Sequence, residues 1–317
     1  MDTVINPGAT AHDPLNPPVP APAPEEFDDD GPPHPWDWPT AIVLWSVHVG
    51  ALAAPFTFSW SGLAVCLVLY AVTAMGVTLA YHRLLTHRSF KTPRWFEYLL
   101  TVAGAQACQG GPIGWVAVHR LHHGHSDRPG DPHGADKGFW WSHMGWMMSK
   151  PPHKLDPLMR TRMARDLEAD AFHRWLDRGY ILAAVGLGFL LLKLGGWSWV
   201  VWGMFVRLVL VYHATWLVNS AAHKFGYRSH RTNDLSTNCW WVALLTFGEG
   251  WHNNHHAYPA SARHGLRFWE VDVSYMAIKL FERMGLVWDI KLAPEKAFRA
   301  NPGDGAQPTL DNKRAAA

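Results

Sequence analysis

The sequence predicts an all-α membrane protein with four transmembrane helices in two hairpins. Four stretches are apolar and nearly free of formal charge, namely residues 40–58, 63–81, 180–194 and 199–218. A helix needs about 20 apolar residues to cross a hydrocarbon core of about 30 Å. The first pair is joined by the linker SWSG and the second pair by GGWS. Because these linkers are too short to form a domain, each pair is predicted to fold back as a hairpin.

The two ends of the chain differ in composition from its apolar part. Residues 1–40 contain eight Asp or Glu, eleven Pro and no Lys or Arg. We expect residues 1–38 to form a disordered acidic tail, and residues 301–317 a flexible one. The first segment lacks the basic start of a signal peptide, so no cleavage is expected. The mean hydropathy of -0.10 averages these polar ends with the apolar stretches and therefore does not argue against a membrane protein.

The distribution of charge and tryptophan predicts the orientation of the hairpins. Lys and Arg concentrate in residues 82–179 and after 219, and the turns after residues 58 and 194 have none. The positive-inside rule therefore places both termini and both large polar segments in the cytoplasm. Arg207 must face the helix bundle or extend to the interface. A weaker apolar stretch at 98–118 is predicted to be a buried or interfacial helix. Tryptophans flank the spans as an aromatic belt would, at Trp36, Trp38, Trp60, Trp197 and Trp199.

Composition also excludes several classes of protein. The three cysteines, Cys66, Cys108 and Cys239, form no CxxC pair, which excludes a disulfide scaffold and a cysteine-based metal site. A net charge of +2 gives no support for nucleic-acid binding. The twenty histidines are the unusual feature.

Nine of these histidines occur in short clusters just beyond the ends of the predicted spans. HRLLTH holds His82 and His87, and NSAAH holds Asn219 and His223 one helical turn apart. In a helix, positions i, i+3 and i+4 share about one face, so we expect each HxxHH triplet to direct three imidazoles toward one point. His82 and His87 would be about 140° apart in a regular helix, so they either straddle a helix end or serve different metals. The two triplets are His119, His122, His123 and His252, His255, His256.

Nine imidazoles are too many for one metal ion of the zinc type, which takes four ligands. Two metals with four or five ligands each account for the number, and imidazole suits zinc, copper, iron and nickel alike. Asp127, Asp131 and Glu249 are candidates to orient the rings. His125, His133, His143, His213 and His264 lie near the clusters and could assist them. We expect ordinary packing roles for His12, His34, His48, His153, His173 and His230.

These clusters resemble those of the membrane-bound fatty acid desaturases. The motifs YHRLLTHRSF, HRLHHGHSD, GFWWSHMGW, NSAAHKFGYR and GEGWHNNHHAYP occur in the family's order, over about residues 40–290. The branch that they resemble contains the acyl-CoA and cyanobacterial-type acyl-lipid Δ9 desaturases. The resemblance implies a membrane-embedded domain at 39–300 whose four spans carry a cytosolic helical cap. It also implies two non-haem irons held by the nine histidines, with Asn219 binding through water.

The resemblance implies O₂-dependent formation of a cis double bond, at Δ9, in a saturated acyl chain in the bacterial cytoplasmic membrane. The acyl chain could be esterified to CoA, to a carrier protein or to a glycerolipid. Trp115, Trp146 and Trp251 are candidates to line an apolar tunnel for it. The chain lacks the haem motif HPGG, so electrons are expected from a separate ferredoxin or small b-type cytochrome. The alternatives are an alkyl or acyl hydroxylase with the same metal chemistry and, from another class, a membrane haem or electron-transfer protein.

Overall fold

The structure is a computed structural model that describes residues 35–150 and 157–305. The described residues form helices joined by irregular segments, with isolated β-bridges and no β-strand. The expectations for residues 1–34 and 306–317, and for His12, His34 and His153, lie outside the described residues.

The described residues contain twelve α-helices, numbered in chain order. Two segments of wider, π-helical geometry extend this set: Gly76–Thr86 continues α2, and Val201–Val206 joins α8 to α9. The α-helices are α1 Trp38–Ala51, α2 Trp60–Met75, α3 Arg94–Ala105, α4 Pro112–His125, α5 Phe139–His143, α6 Pro157–Met163, α7 Arg165–Glu168, α8 Ala171–Val200, α9 Arg207–Ser220, α10 Trp240–Leu245, α11 His252–Ala257 and α12 Val273–Arg283.

The second predicted hairpin turns at its glycine linker. Gly196 adopts a non-helical, positive φ of 64°, which a residue with a side chain rarely tolerates. A Cβ on Gly203 would lie 2.8 Å from Leu191 Cδ1. In a straight helix, residues 191 and 203 would be about 18 Å apart. The chain therefore reverses between α8 and α9.

The apolar segments pack around the π segment Val201–Val206 and α9, which contact α1 on one side and α2 on another. Two continuous helical stretches, Trp60–Thr86 and Ala171–His223, are long and apolar enough to cross a membrane, and the second contains both arms of the hairpin. Helix α1 has only 14 residues and is followed by a 3₁₀ turn at Ala54–Thr57. The predicted first stretch is thus one short helix and a turn rather than a helix over 40–58.

Large apolar side chains on these helices point away from the protein. Leu67, Val68, Leu182 and Phe189 are all more than half exposed. Of the most apolar 18-residue stretch within Ala171–His223, only 11% is buried. Exposed apolar surface of this kind marks contact with a membrane or with another protein. On helices long and apolar enough to cross a bilayer, it indicates a membrane-associated protein.

Arg207 faces the interior of the helix bundle, which is one of the two positions predicted for it. Its side chain is fully buried and donates hydrogen bonds to Gly203 O at 2.6 Å, Thr73 Oγ1 at 2.8 Å and Gln106 O at 2.9 Å. These neutral acceptors replace the water that the guanidinium would otherwise bind.

The weakly apolar stretch 98–118 forms parts of α3 and α4, with a break between Ala105 and Pro112. Helix α3 lies very close to the π segment, because a Cβ on Gly76 would be 2.2 Å from Gly104 N. Helix α4 carries the first histidine triplet, and its contacts with α3 and with the π segment Gly76–Thr86 hold it in place.

Candidate metal centre

The nine histidines lie together in two adjacent groups. In each group the ligand nitrogens lie within 4.8 Å of one another. The rings of His123 and His256, one from each group, are 4.6 Å apart between centroids. The five-histidine group is His82, His87, His119, His123 and His255; the four-histidine group is His122, His223, His252 and His256.

The expectation that each triplet converges on one point is wrong. His119 and His123 join the five-histidine group, whereas His122 joins the other. In the second triplet His255 is the residue that separates from its neighbours. Adjacent helical residues point about 100° apart, while positions i and i+4 are only about 40° apart. Each triplet therefore supplies ligands to both groups.

A π-helix explains the five-residue spacing of the first cluster. His82 lies in the π segment Gly76–Thr86, and His87 is the residue that caps its end. The His87 N–H donates to His82 O at 3.1 Å, the i to i+5 bond of a π-helix. The two ring centroids are 4.8 Å apart. His82 and His87 therefore straddle a helix end and belong to the same group.

The ring nitrogens have the arrangement of metal ligands. In the five-histidine group, His255 Nε2 lies 3.1 Å from His82 Nε2 and 3.0 Å from His123 Nε2. Two nitrogens about 2.1 Å from one metal and at right angles to each other are about 3.0 Å apart. Several buried nitrogens have no hydrogen-bond partner among the described residues, namely His87 Nε2, His223 Nε2, His256 Nε2 and both ring nitrogens of His252. The residues therefore fit a pair of metal ions.

Four carboxylates hold the opposite sides of these rings. Glu249 Oε2 is 2.7 Å from His82 Nδ1, and Asp131 Oδ2 is 2.9 Å from His122 Nδ1. Carboxylates in this position fix the tautomer and the orientation of a metal-binding histidine. Three of the four were predicted from the sequence; Asp234 was not, since it lies in a polar loop 11 residues beyond His223. The remaining pairs are Asp127 with His223 at 2.8 Å and Asp234 with His256 at 2.7 Å.

The charge states of these groups suit metal binding. Burial alone would raise the pKa of Asp131, but His122 and His133 beside it lower that pKa to about 2. Burial lowers the pKa of His123 and His255 well below the ordinary value, and neighbouring imidazoles lower it further. These rings are therefore neutral and have a lone pair available for a metal.

Two of the five assisting histidines contact the groups directly. His264 Nδ1 is 3.2 Å from Glu249 Oε2, and the His133 ring lies 4.2 Å from that of His122. His125 approaches the carbonyl of Leu121 within its own helix. The other two, His143 and His213, contact each other instead.

An apolar cavity ends at both histidine groups. Its walls come from α2, α9 and α10, and it reaches His82, His119 and His252. Asn219 and Trp115 both line it. Trp146 and Trp251 do not line this cavity: Trp146 packs on His133, and the Trp251 indole donates to Val271 O. The apolar lining includes Ala74, Val77, Val211, Ala214, Val218 and Leu245.

Comparison with known proteins agrees with this geometry. The family model of fatty acid desaturases matches residues 58–274. The chain belongs to the fatty acid desaturase family and is an oxidoreductase. The two histidine groups fit the metal dependence of that family.

Curated relatives align with most of the chain. An sn-1 stearoyl-lipid 9-desaturase of Anabaena variabilis is 53% identical over 263 residues, covering 82% of this chain and 96% of the relative. A protein of the same name from Synechocystis is 53% identical over 264 residues, covering 82% of each chain. A chloroplastic palmitoyl-monogalactosyldiacylglycerol delta-7 desaturase of Arabidopsis thaliana is 47% identical over 260 residues, covering 82% of this chain and 70% of the relative.

Proposed function

We propose that this protein introduces a cis double bond at Δ9 into a stearoyl chain esterified to a membrane glycerolipid. The observation that carries the proposal is the apolar cavity that ends at both histidine groups. A saturated chain offers no polar group to hold, so only the shape of such a cavity can place one CH₂–CH₂ unit beside the metals. The names of the two relatives at 53% identity support stearate, the lipid ester and position 9.

We propose that the metals are two irons per chain. The five-histidine group would hold one, and the four-histidine group, with Asn219 through water, the other. Bound iron would supply the activation of O₂ that hydrogen removal from an alkyl chain requires. The chain's own residues do the rest: Glu249 and Asp127 orient ligand rings, and Val77, Val211 and Ala214 shape the apolar wall that excludes water.

For the membrane arrangement we propose four spans over residues 39–300, with α1 and its turn completing the first hairpin. The histidine groups and both termini then lie on the cytoplasmic side, in a cap built mainly from α3 to α7 and α10 to α12. This is supported by the exposed apolar surfaces of α2 and α8 and by the concentration of Lys and Arg in residues 82–179 and after 219. The electron donor is proposed to be a separate ferredoxin or small b-type cytochrome, attracted by the basic cap.

The function is tested by expressing the full chain in a host that lacks monounsaturated fatty acids. After a pulse of labelled stearate, mass spectrometry gives the double-bond position and the first lipid class to carry label. We expect an 18-carbon Δ9 chain, appearing first in glycerolipid. An alcohol without unsaturation would identify a hydroxylase, and label first in acyl-CoA would refute the lipid-linked substrate.

Metal analysis of the same preparations tests the irons. We expect two irons per chain and no Soret band, with His122→Ala and His255→Ala each reducing the iron content. His173→Gln is the matched control, because His173 is buried in contact with Asp170 and belongs to neither group. A Soret band with one haem per chain would support the electron-transfer alternative instead.

A further inference from the structure

Three histidines outside both metal groups form a continuous hydrogen-bonded row. His48 on α1 lies with its Nε2 atom 3.1 Å from His213 Nε2 on α9. His213 Nδ1 is 3.0 Å from His143 Nε2 on α5. His143 Nδ1 is 2.9 Å from the hydroxyl of Ser220. The row thus crosses three helices and includes a residue, His48, for which the sequence suggested only packing.

The row has an acceptor at each end. His48 Nδ1 is 2.7 Å from Leu44 O, and Ser220 Oγ is 2.8 Å from Trp216 O. Counting both ends, five contacts each require one proton. Three neutral imidazoles and one hydroxyl supply only four protons. One contact therefore lacks a proton while the row is neutral, and a fifth proton would complete it.

The contact that lacks a proton, called the vacancy, can lie at either end of the row. Its position determines the tautomer of each of the three histidines. With the vacancy at Trp216 O, the rings are protonated at His48 Nδ1, His213 Nε2 and His143 Nε2. With the vacancy at Leu44 O, the protons lie on His48 Nε2, His213 Nδ1 and His143 Nδ1. Adding a proton at His48 Nδ1 and removing one from Ser220 Oγ converts the second arrangement into the first. This is how a row of imidazoles conducts protons.

The surroundings of the row disfavour an imidazolium, so an extra proton is not held on any of the three histidines. Trp216, which is buried, contacts all three imidazole rings. Phe139 and Trp140 cover His143, and Trp45 packs on His48. Among the described residues, no Asp or Glu makes a hydrogen bond or ion pair with the three histidines. The nearest arginine along α9, Arg207, donates to Gly203, Thr73 and Gln106 instead. Burial and, to a smaller extent, the neighbouring His213 lower the pKa of His143 to about 4.

The row ends within one helical turn of the candidate metal centre along the chain. Ser220 is buried at the end of α9 and adjoins Asn219, which lines the cavity together with His252. His223 of the four-histidine group follows within one helical turn.

The proposed reaction consumes protons at this place. One –CH₂–CH₂– unit, one O₂, two electrons and two protons give one –CH=CH– unit and two waters. The electrons come from the donor protein, and the two hydrogens removed from the chain enter the water. Two further protons must therefore reach a buried, largely apolar site in each turnover.

We propose that His48, His213 and His143 form a proton relay that delivers protons through Ser220 to the metal centre. Its role in turnover rests on the proposed desaturase function, whereas its conduction of protons is a property of the row alone. A purely structural row that only ties α1 and α5 to α9 would keep one fixed set of tautomers.

The first test reads the tautomers by ¹⁵N NMR of the full-length, iron-loaded protein, labelled at histidine, in lipid bilayers. Resonances absent from His213→Gln are assigned to His213. We expect both neutral tautomers of His213 in exchange in the wild type, and a single tautomer in His143→Gln. His173→Gln should leave the exchange unchanged. A single fixed tautomer of His213 in the wild type would overturn the relay.

The second test measures turnover. Glutamine retains a donor and an acceptor but cannot exchange protons as imidazole does, and general acid–base groups contribute about 100-fold or more to a rate. We expect His213→Gln and Ser220→Ala to lower kcat at least about tenfold, with KM and iron content unchanged. An unchanged kcat in His213→Gln would refute delivery to the site. If the wild type formed no double bond, the proposed function would fail while the NMR result would still decide whether the row conducts protons.

Discussion

Asp234 offers the sharpest test of the metal centre, because one isosteric change should affect one histidine group and leave the other intact. Asp234 Oδ1 accepts from Thr232 Oγ1 at 2.7 Å and from Ser236 N at 3.0 Å, while Oδ2 faces His256 Nδ1 at 2.7 Å. Asp234→Asn can keep the first two bonds and place its NH₂ against His256. The imidazole must then accept at Nδ1 and carry its proton on Nε2, the buried nitrogen that has no partner. A protonated Nε2 cannot bind a metal.

The expected loss of metal affinity is at the upper end of the range for the loss of a carboxylate that orients a metal-binding histidine. Losing a carboxylate behind a metal-binding histidine weakens metal affinity about 10- to 100-fold, and 100-fold corresponds to about 2.8 kcal/mol. Metal content per chain is measured after equilibration with increasing chelator. Asp234→Asn should lose one metal at about 100-fold lower chelator concentration and retain the other at the wild-type value. The control is Asp289→Asn, since Asp289 is an exposed partner of Lys91. The reasoning is refuted if Asp234→Asn keeps both metals as tightly as the wild type.

Three further outcomes are expected. Asp166 has a pKa lowered to about 2, mainly by Arg120 and Arg88 against the effect of burial, so it stabilises the fold above about pH 4 and loses this effect as the pH falls toward 2. Asp166→Asn should therefore lower the free energy of unfolding by about 2 kcal/mol at pH 7, by about half as much at pH 3 and by much less at pH 2, as measured by denaturation. Ala214→Phe, which fills the cavity wall, should shift product chains toward shorter lengths, whereas Val185→Phe on an exposed surface should not, as measured by fatty acid analysis. Arg207→Met should lower thermal stability by about 1–3 kcal/mol, because the buried Thr73 hydroxyl and the partly buried Gln106 carbonyl both lose the guanidinium that donates to them; an unchanged melting temperature would contradict this.

The sequence predicted those parts of the structure that depend on local composition. The glycine linker at 195–198 turns the chain because Gly196 adopts a conformation that other residues avoid. The nine histidines could be identified as candidate metal ligands because their clusters follow the ends of apolar stretches. A short helix or turn there places them at a similar depth relative to the membrane. Asp127, Asp131 and Glu249 could be proposed because they follow or precede a cluster closely in sequence.

What the sequence could not show depends on contacts between distant segments. Asp234 reaches His256 only because its loop folds back over α11, and the residues around Asp234 form no recognisable motif. The π-helix at Gly76–Thr86 also has no compositional signature, since its widened turn is held by packing of Gly76 on Gly104 of α3. The His48–His213 contact joins residues 165 positions apart, so neither residue could be assigned a role from its neighbours in sequence.

The division of both triplets between the two groups has a consequence for how the site is built. Helix α4 supplies His122 to one group and His123 to the other, and α11 does the same with His256 and His255. Because neighbouring residues on one helix cannot move independently, the separation of the two groups is set by helix geometry rather than by loop packing. A shift of either helix would displace ligands of both groups together. The HxxHH pattern is therefore best understood as the spacing for a pair of metals: positions i and i+4 serve one side of the helix, and position i+3 reaches around to the other.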